Sequence, residues 1–221
     1  MARLVRTRFR MKNILSALFA IGCIGFATAT HASITPVGPF SGSASESFES
    51  FSSYYSTGYQ ANGSAVFGGL ATMWAANSDL TITPSGGFGL YSASAQAADG
   101  AQFLGLNSEK DSVTFAFTSA IDSFGGYFGA AFGGPYSGWV NFGFSDGSSA
   151  AYAYSNSSGN LDWQGWSFSS AINSVTISGD YIVMDKLQAN GSRSVPDGGL
   201  TLAMTGCTLV LLAGVRRKFF V

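Results

Sequence analysis

The side chains that carry most enzyme chemistry are nearly missing from this 221-residue chain. It has one histidine, His31, and two cysteines, Cys23 and Cys207. All three lie near the ends, so residues 33–194 contain no imidazole and no thiol. Ser-His-Asp triads, Cys–His pairs and imidazole-ligated zinc all need such groups, and inventory alone excludes them from that stretch. Carboxylates remain. Two of them about 5 to 9.5 Å apart can hydrolyse a glycoside. The densest acidic spot is Glu109-Lys110-Asp111, which reads as an exposed turn between strands. No two acids stand out as facing a cleft, and the expectation is a protein without enzyme activity. Hard cations want oxygen ligands, so calcium is the metal this inventory suits.

Aromatic chemistry offers a second candidate. Trp163 and Trp166 flank Gln164-Gly165. The flat face of an indole can stack on the apolar face of a sugar ring. A sugar site here would use Trp163, with Asp162 and Gln164 as hydrogen-bond partners. The alternative is packing, with Trp166 in the core and Trp163 at its rim. Trp74 and Trp139 are expected in the core.

Charge narrows the partners. Eight of the eleven basic residues are Arg3, Arg6, Arg8, Arg10, Lys12, Arg216, Arg217 and Lys218. Between residues 33 and 194 only Lys110, Lys186 and Arg193 stand against eleven acids, a net charge of −8. Such a surface repels nucleic acid and anionic lipid, so no nucleic-acid partner is expected.

These residues must be positioned by strands. Ser, Gly, Ala, Phe and Tyr dominate the middle, helix signals are nearly absent, and period-2 alternation is frequent. Residues 112–118 place Val113, Phe115 and Phe117 on one face. Residues 139–144 do the same with Val140, Phe142 and Phe144. Ser145-Asp146-Gly147-Ser148 reads as a hairpin turn, and Ala150, Tyr152 and Tyr154 alternate on the return. Residues 165–169, 173–178 and 181–187 read as three further short strands. Segments 47–51, 64–67, 80–83 and 102–106 are expected strands, and 86–91 and 123–134 strand or loop. Ten or eleven short strands with frequent turns predict an all-β fold, an antiparallel β-sandwich of jelly-roll type.

Both ends differ from this body. Residues 1–32 follow the grammar of a signal peptide: a basic stretch to Lys12, an apolar run 14–26, then Ala27-Thr28-Ala29 and Thr30-His31-Ala32 as cleavage sites. Met11 offers an alternative start, and Cys23 an alternative lipidation site. At the other end, a linker from 191 meets Val195-Pro196-Asp197-Gly198-Gly199. An apolar run 200–215 follows, then a basic tail 216–221. About 16 helical residues span about 24 Å, close to a hydrocarbon core of about 30 Å. Snorkelling Arg216, Arg217 and Lys218 can cover the difference, and they place the tail in the cytoplasm and the body 33–190 outside.

This end resembles the PEP-CTERM protein-sorting signal of Gram-negative bacteria, in the variants reading Val-Pro-Asp-Ser-Gly or Val-Pro-Asp-Gly-Gly. Asp197 replaces the commoner Glu, and Gly198 the second Pro. The resemblance implies recognition by an exosortase in the inner membrane, removal of the tail, and delivery to the cell surface or an exopolysaccharide matrix. An ordinary tail anchor without processing is the alternative. Glu46-Ser-Phe-Glu49, residues 99–105, Phe124-Gly-Gly-Tyr127, Phe144-Ser-Asp-Gly147 and residues 181–187 together resemble exported jelly-roll domains that precede such tails. Jelly-roll sugar-binding domains often hold a calcium between their first and last strands, and Glu46 or Glu49 with Asp185 could hold one here. The alternative is that these acids are solvated, or that Asp185 pairs with Lys186 or caps a turn. The expected function is a structural component of surface or matrix, or else a carbohydrate-binding module.

Overall fold

The computed structural model describes residues 33–52, 62–76, 80–90, 93–133, 136–154 and 159–191. They belong to one unit of the chain, Ala32–Val221. The signal-like segment, the Val195–Gly199 motif, the apolar run and Arg216, Arg217 and Lys218 lie outside the described residues.

Among these residues the chain is all-β and antiparallel, with one 3₁₀ turn at Phe67–Gly69 and no helix long and apolar enough to cross a membrane. The strands are β1 (Ile34–Pro36), β2 (Ala44–Glu46), β3 (Ala65–Val66), β4 (Ala71–Ala75), β5 (Leu80–Pro84), β6 (Gly89–Leu90), β7 (Ala93–Ser94) and β8 (Gln102–Leu106). After them come β9 (Asp111–Gly129), β10 (Phe132–Gly133), β11 (Tyr136–Ser137), β12 (Trp139–Phe144), β13 (Ser149–Ala153), β14 (Asp162–Gly179) and β15 (Val183–Gly191).

Two long strands organise the sheet. The first half of β9 pairs β4 on one side and the second half of β14 on the other, and β12 and β13 continue that wing. The second half of β9 pairs the first half of β14 and β15; β1 joins β14, β2 and β8 join β15, and β5 joins β8. Between the halves the β9–β14 register shifts at Ser167, Ile172 and Ser174. Such irregularities bend a strand and let it pass from one layer to the next. The sheet curls there, and its two wings close on a shared core.

Aromatic rings join the wings. Phe128 meets Phe142 at 5.0 Å, Phe142 meets Trp166 at 4.3 Å, and Phe144 meets Phe168 at 4.9 Å. Phe117 and Phe124, on either side of the bend in β9, are 6.3 Å apart. Each such ring contributes about 1.5–3 kcal/mol by burial, and edge-on pairing adds to it.

Alternation locates strands well but not their ends. Residues 112–118 and 123–129 belong to the single strand β9, and the two strands expected at 165–169 and 173–178 are one, β14. The exposed Ser-Ser-Ala at 169–171 reads locally as a loop, yet it is the outside of the bend. Residues 47–51, expected as a strand, are turn and bend. The Glu46 carboxylate accepts the Phe48 amide, and Phe48 has φ +60°, which ends β2. The Asp146-Gly147 turn forms as expected: Asp146 accepts from the Ser148 amide at 2.9 Å, and Gly147 takes φ +83°.

Candidate functional site

Trp163 lies on β14, opposite Tyr127 of β9, and two pairs further along, on the same face, Gly165 stands opposite Gly125. The indole rests on these two glycines. A Cβ added at Gly125 would come within 2.6 Å of the ring, and one at Gly165 within 2.8 Å. Phe40 and Tyr127 meet it edge-on at 5.5 and 5.4 Å. The indole Nε1 donates to the Val37 carbonyl at 2.9 Å. Trp163 thus pins the segment after β1 across β14.

Asp162 and Gln164 do not share that surface. Alternation puts them on the side of Trp166 and Phe168, which are buried, while Trp163 faces the other way. Asp162 accepts a hydrogen bond from the Tyr152 hydroxyl at 3.0 Å. Burial, and then the Asp162 carboxylate, raise the Tyr152 phenol above its ordinary value. Burial and the same charge push the buried Tyr154 up to about 12, and its hydroxyl donates to the Asn160 carbonyl. Both phenols remain neutral donors. The three residues of the expected sugar site are therefore split between two faces.

The expected calcium ligands each receive backbone amides. Glu46 accepts from Phe48 N at 2.8 Å through Oε1 and from Phe67 N at 2.9 Å through Oε2. Glu49 Oε1 accepts from Ala101 N at 2.8 Å and Gln102 N at 2.9 Å. Asp185 Oδ2 accepts from Ala98 N at 2.7 Å and Asp99 N at 2.8 Å, and its Oδ1 from Lys186 N at 2.6 Å. A carboxylate oxygen offers about two lone-pair sites, so Glu49 Oε1 and Asp185 Oδ2 are filled. These two acids clamp the loop before β8 from opposite ends. Gln102 adds to the clamp, donating to the carbonyls of Phe48 and Phe51. Among the described residues no three His, Cys, Asp or Glu side chains gather as a metal site. Asp185 is fully buried, and burial pushes its carboxyl up to about 6 despite the three amide donors; the nearby Asp99 charge adds to the rise.

At the Glu109-Lys110-Asp111 turn, Glu109 is exposed but Asp111 is buried at the start of β9. Lys110 takes φ +53°, and its amide donates to Asp180 at 2.9 Å. Trp166 is in the core and Trp163 is half-buried. Trp74 and Trp139, expected in the core, are instead 54 % and 47 % exposed. Met73 and Val140 occupy the inward positions beside them, and alternation turns both indoles outward. The sequence signal was present: Val140, Phe142 and Phe144 already assign the opposite parity to Trp139.

Comparison with known protein families finds no family model that matches this chain. Comparison with curated proteins finds no matching relative.

Proposed function

We propose that this chain is an exported cell-surface or extracellular-matrix protein, non-enzymatic, whose described β body is cargo between two removable handles. The finer architecture in this reading is a jelly-roll-like sandwich, flanked by an N-terminal signal helix and one C-terminal transmembrane helix. The observation that carries it is the run from Val195-Pro196-Asp197-Gly198-Gly199 through an apolar stretch to Arg216-Arg217-Lys218. It pairs with a basic, apolar N-terminus around an acidic body without imidazole. An exosortase-type enzyme in the inner membrane would trim the tail of a Gram-negative host's protein. The test is intact mass and cell fractionation in such a host, with and without its sorting enzyme. Loss of both ends, and retention in the membrane when the enzyme is absent, is the expected result. A full-length polypeptide soluble in the cytoplasm would overturn the reading.

A second reading, glycan binding by the body in contact with exopolysaccharide, is favoured by the two tryptophans exposed on one sheet face.

A further inference from the structure

In the wing formed by β4, β9, β14, β12 and β13, register fixes which residues share the outer face. Trp74 stands opposite Thr114, Thr114 opposite Thr176, and Thr176 opposite Gly143. Beside this row runs another, Ser112 to Ser178 to Asn141. The intervening positions, among them Met73, Phe115, Ile177 and Phe142, are buried. Trp139 lies on the same face of β12, four residues before Gly143. Three strand spacings of about 4.8 Å and four residues of about 3.4 Å separate the two indoles by about 20 Å along a diagonal.

The face has a distinct composition. Its paired residues are Ser, Thr, Asn, Ala, Gly and the two tryptophans, with no Asp, Glu, Lys or Arg, on a body whose net charge is −8. Hydroxyls run across it, and Thr114 Oγ1 and Thr176 Oγ1 are 2.8 Å apart. Trp74 is held in place. Its Nε1 donates to Thr72 Oγ1 at 3.3 Å, and its ring lies against Gly63, where an added Cβ would come within 3.0 Å. Gly63 has φ +79°, a conformation glycine adopts without strain.

We infer that this face binds an uncharged polysaccharide laid between Trp74 and Trp139. This rests on the glycan reading above and adds to it a site and a ligand class. A charged chain would find no countercharge on the face. An apolar partner would bury hydroxyls without partners, at a cost. Sugar hydroxyls both donate and accept, as Ser and Thr do, and the C–H faces of the rings match the indoles. A span of about 20 Å exceeds one sugar ring, so the ligand is a chain of several.

The test is affinity electrophoresis of the full-length chain in mild detergent, through gels holding hydroxyethylcellulose, dextran or alginate. Retardation by a neutral polymer, unchanged by added salt and absent with alginate, is expected. Trp74→Ala and Trp139→Ala should each weaken it about tenfold, the cost of truncating one aromatic anchor, and together about a hundredfold. Both side chains are exposed, so the thermal midpoint should stay put. Thr176→Glu, which adds charge to the centre with both indoles in place, should also abolish retardation. Undiminished retardation of the double variant would overturn the site while leaving glycan binding standing. No retardation of the wild type by any neutral polymer would overturn both. A concentration-dependent dimer that the double variant loses would assign the face to a second copy and overturn the proposal.

Discussion

Asp185→Asn isolates one buried ionisation. The wild-type carboxyl is fully buried and titrates at about 6, against an ordinary value of 3.8. Below about pH 4 both the folded and unfolded states hold the proton, and the stability linked to it is fully present. Between about pH 4 and 6 the unfolded chain ionises while the fold keeps its proton, and that stability drains away. Above about pH 6 it is gone. Two pKa units correspond to about 3 kcal/mol. Asparagine cannot ionise, yet its oxygen can still accept from Ala98 N and Asp99 N, while its amide group faces Lys186 N, a donor. The variant starts with its own fixed penalty, about 1–3 kcal/mol for a mismatched buried donor, but without this pH term. The wild type's advantage over the variant should therefore shrink by about 3 kcal/mol from pH 4 to pH 7. At this size that is about 6–12 °C of midpoint difference. Thermal unfolding followed by near-ultraviolet circular dichroism, on both proteins across that range, measures it. A gap constant with pH, or one that widens as pH rises, would refute the argument that burial outweighs the amide donors.

Phe142→Ala, at the meeting of the wings against Phe128 and Trp166, should cost about 3–5 kcal/mol, whereas Trp139→Ala on the same strand should stay within about 0.5 kcal/mol; equal losses in chemical denaturation would contradict the assigned faces. Chelation by EDTA should leave the thermal midpoint unchanged, because Glu46, Glu49 and Asp185 already hold backbone amides; a fall on chelation that added calcium reverses would show instead that these acids bind the ion.

Some of the fold was readable one segment at a time. The alternation of Val140, Phe142 and Phe144, the Asp146-Gly147 turn and the return through Ala150, Tyr152 and Tyr154 form a hairpin whose parts are neighbours in the chain. The strand Gln102–Leu106 was likewise visible from its composition. By contrast, β4 reads Ala-Thr-Met-Trp-Ala, which carries too little apolar contrast to announce a strand. Its place depends on β9, some forty residues later. The two long strands read as fragments because their exposed bends look like loops. The amide partners of the carboxylates were hidden for a related reason: most lie far from the acids along the chain. The partners of Asp185 at Ala98 and Asp99 are 87 and 86 residues away.

Composition and short-range period were enough for the all-β class, the exclusion of histidine and cysteine chemistry from the body, and the contrast between acidic middle and basic ends. Each of these depends on residue type or on neighbours two positions apart. Only the tertiary structure decided which acids receive backbone amides, and that Trp163 lies over Gly125 with its Nε1 on the Val37 carbonyl. Those outcomes follow from pairing between strands far apart in the chain, and no single segment contains the register of its partner.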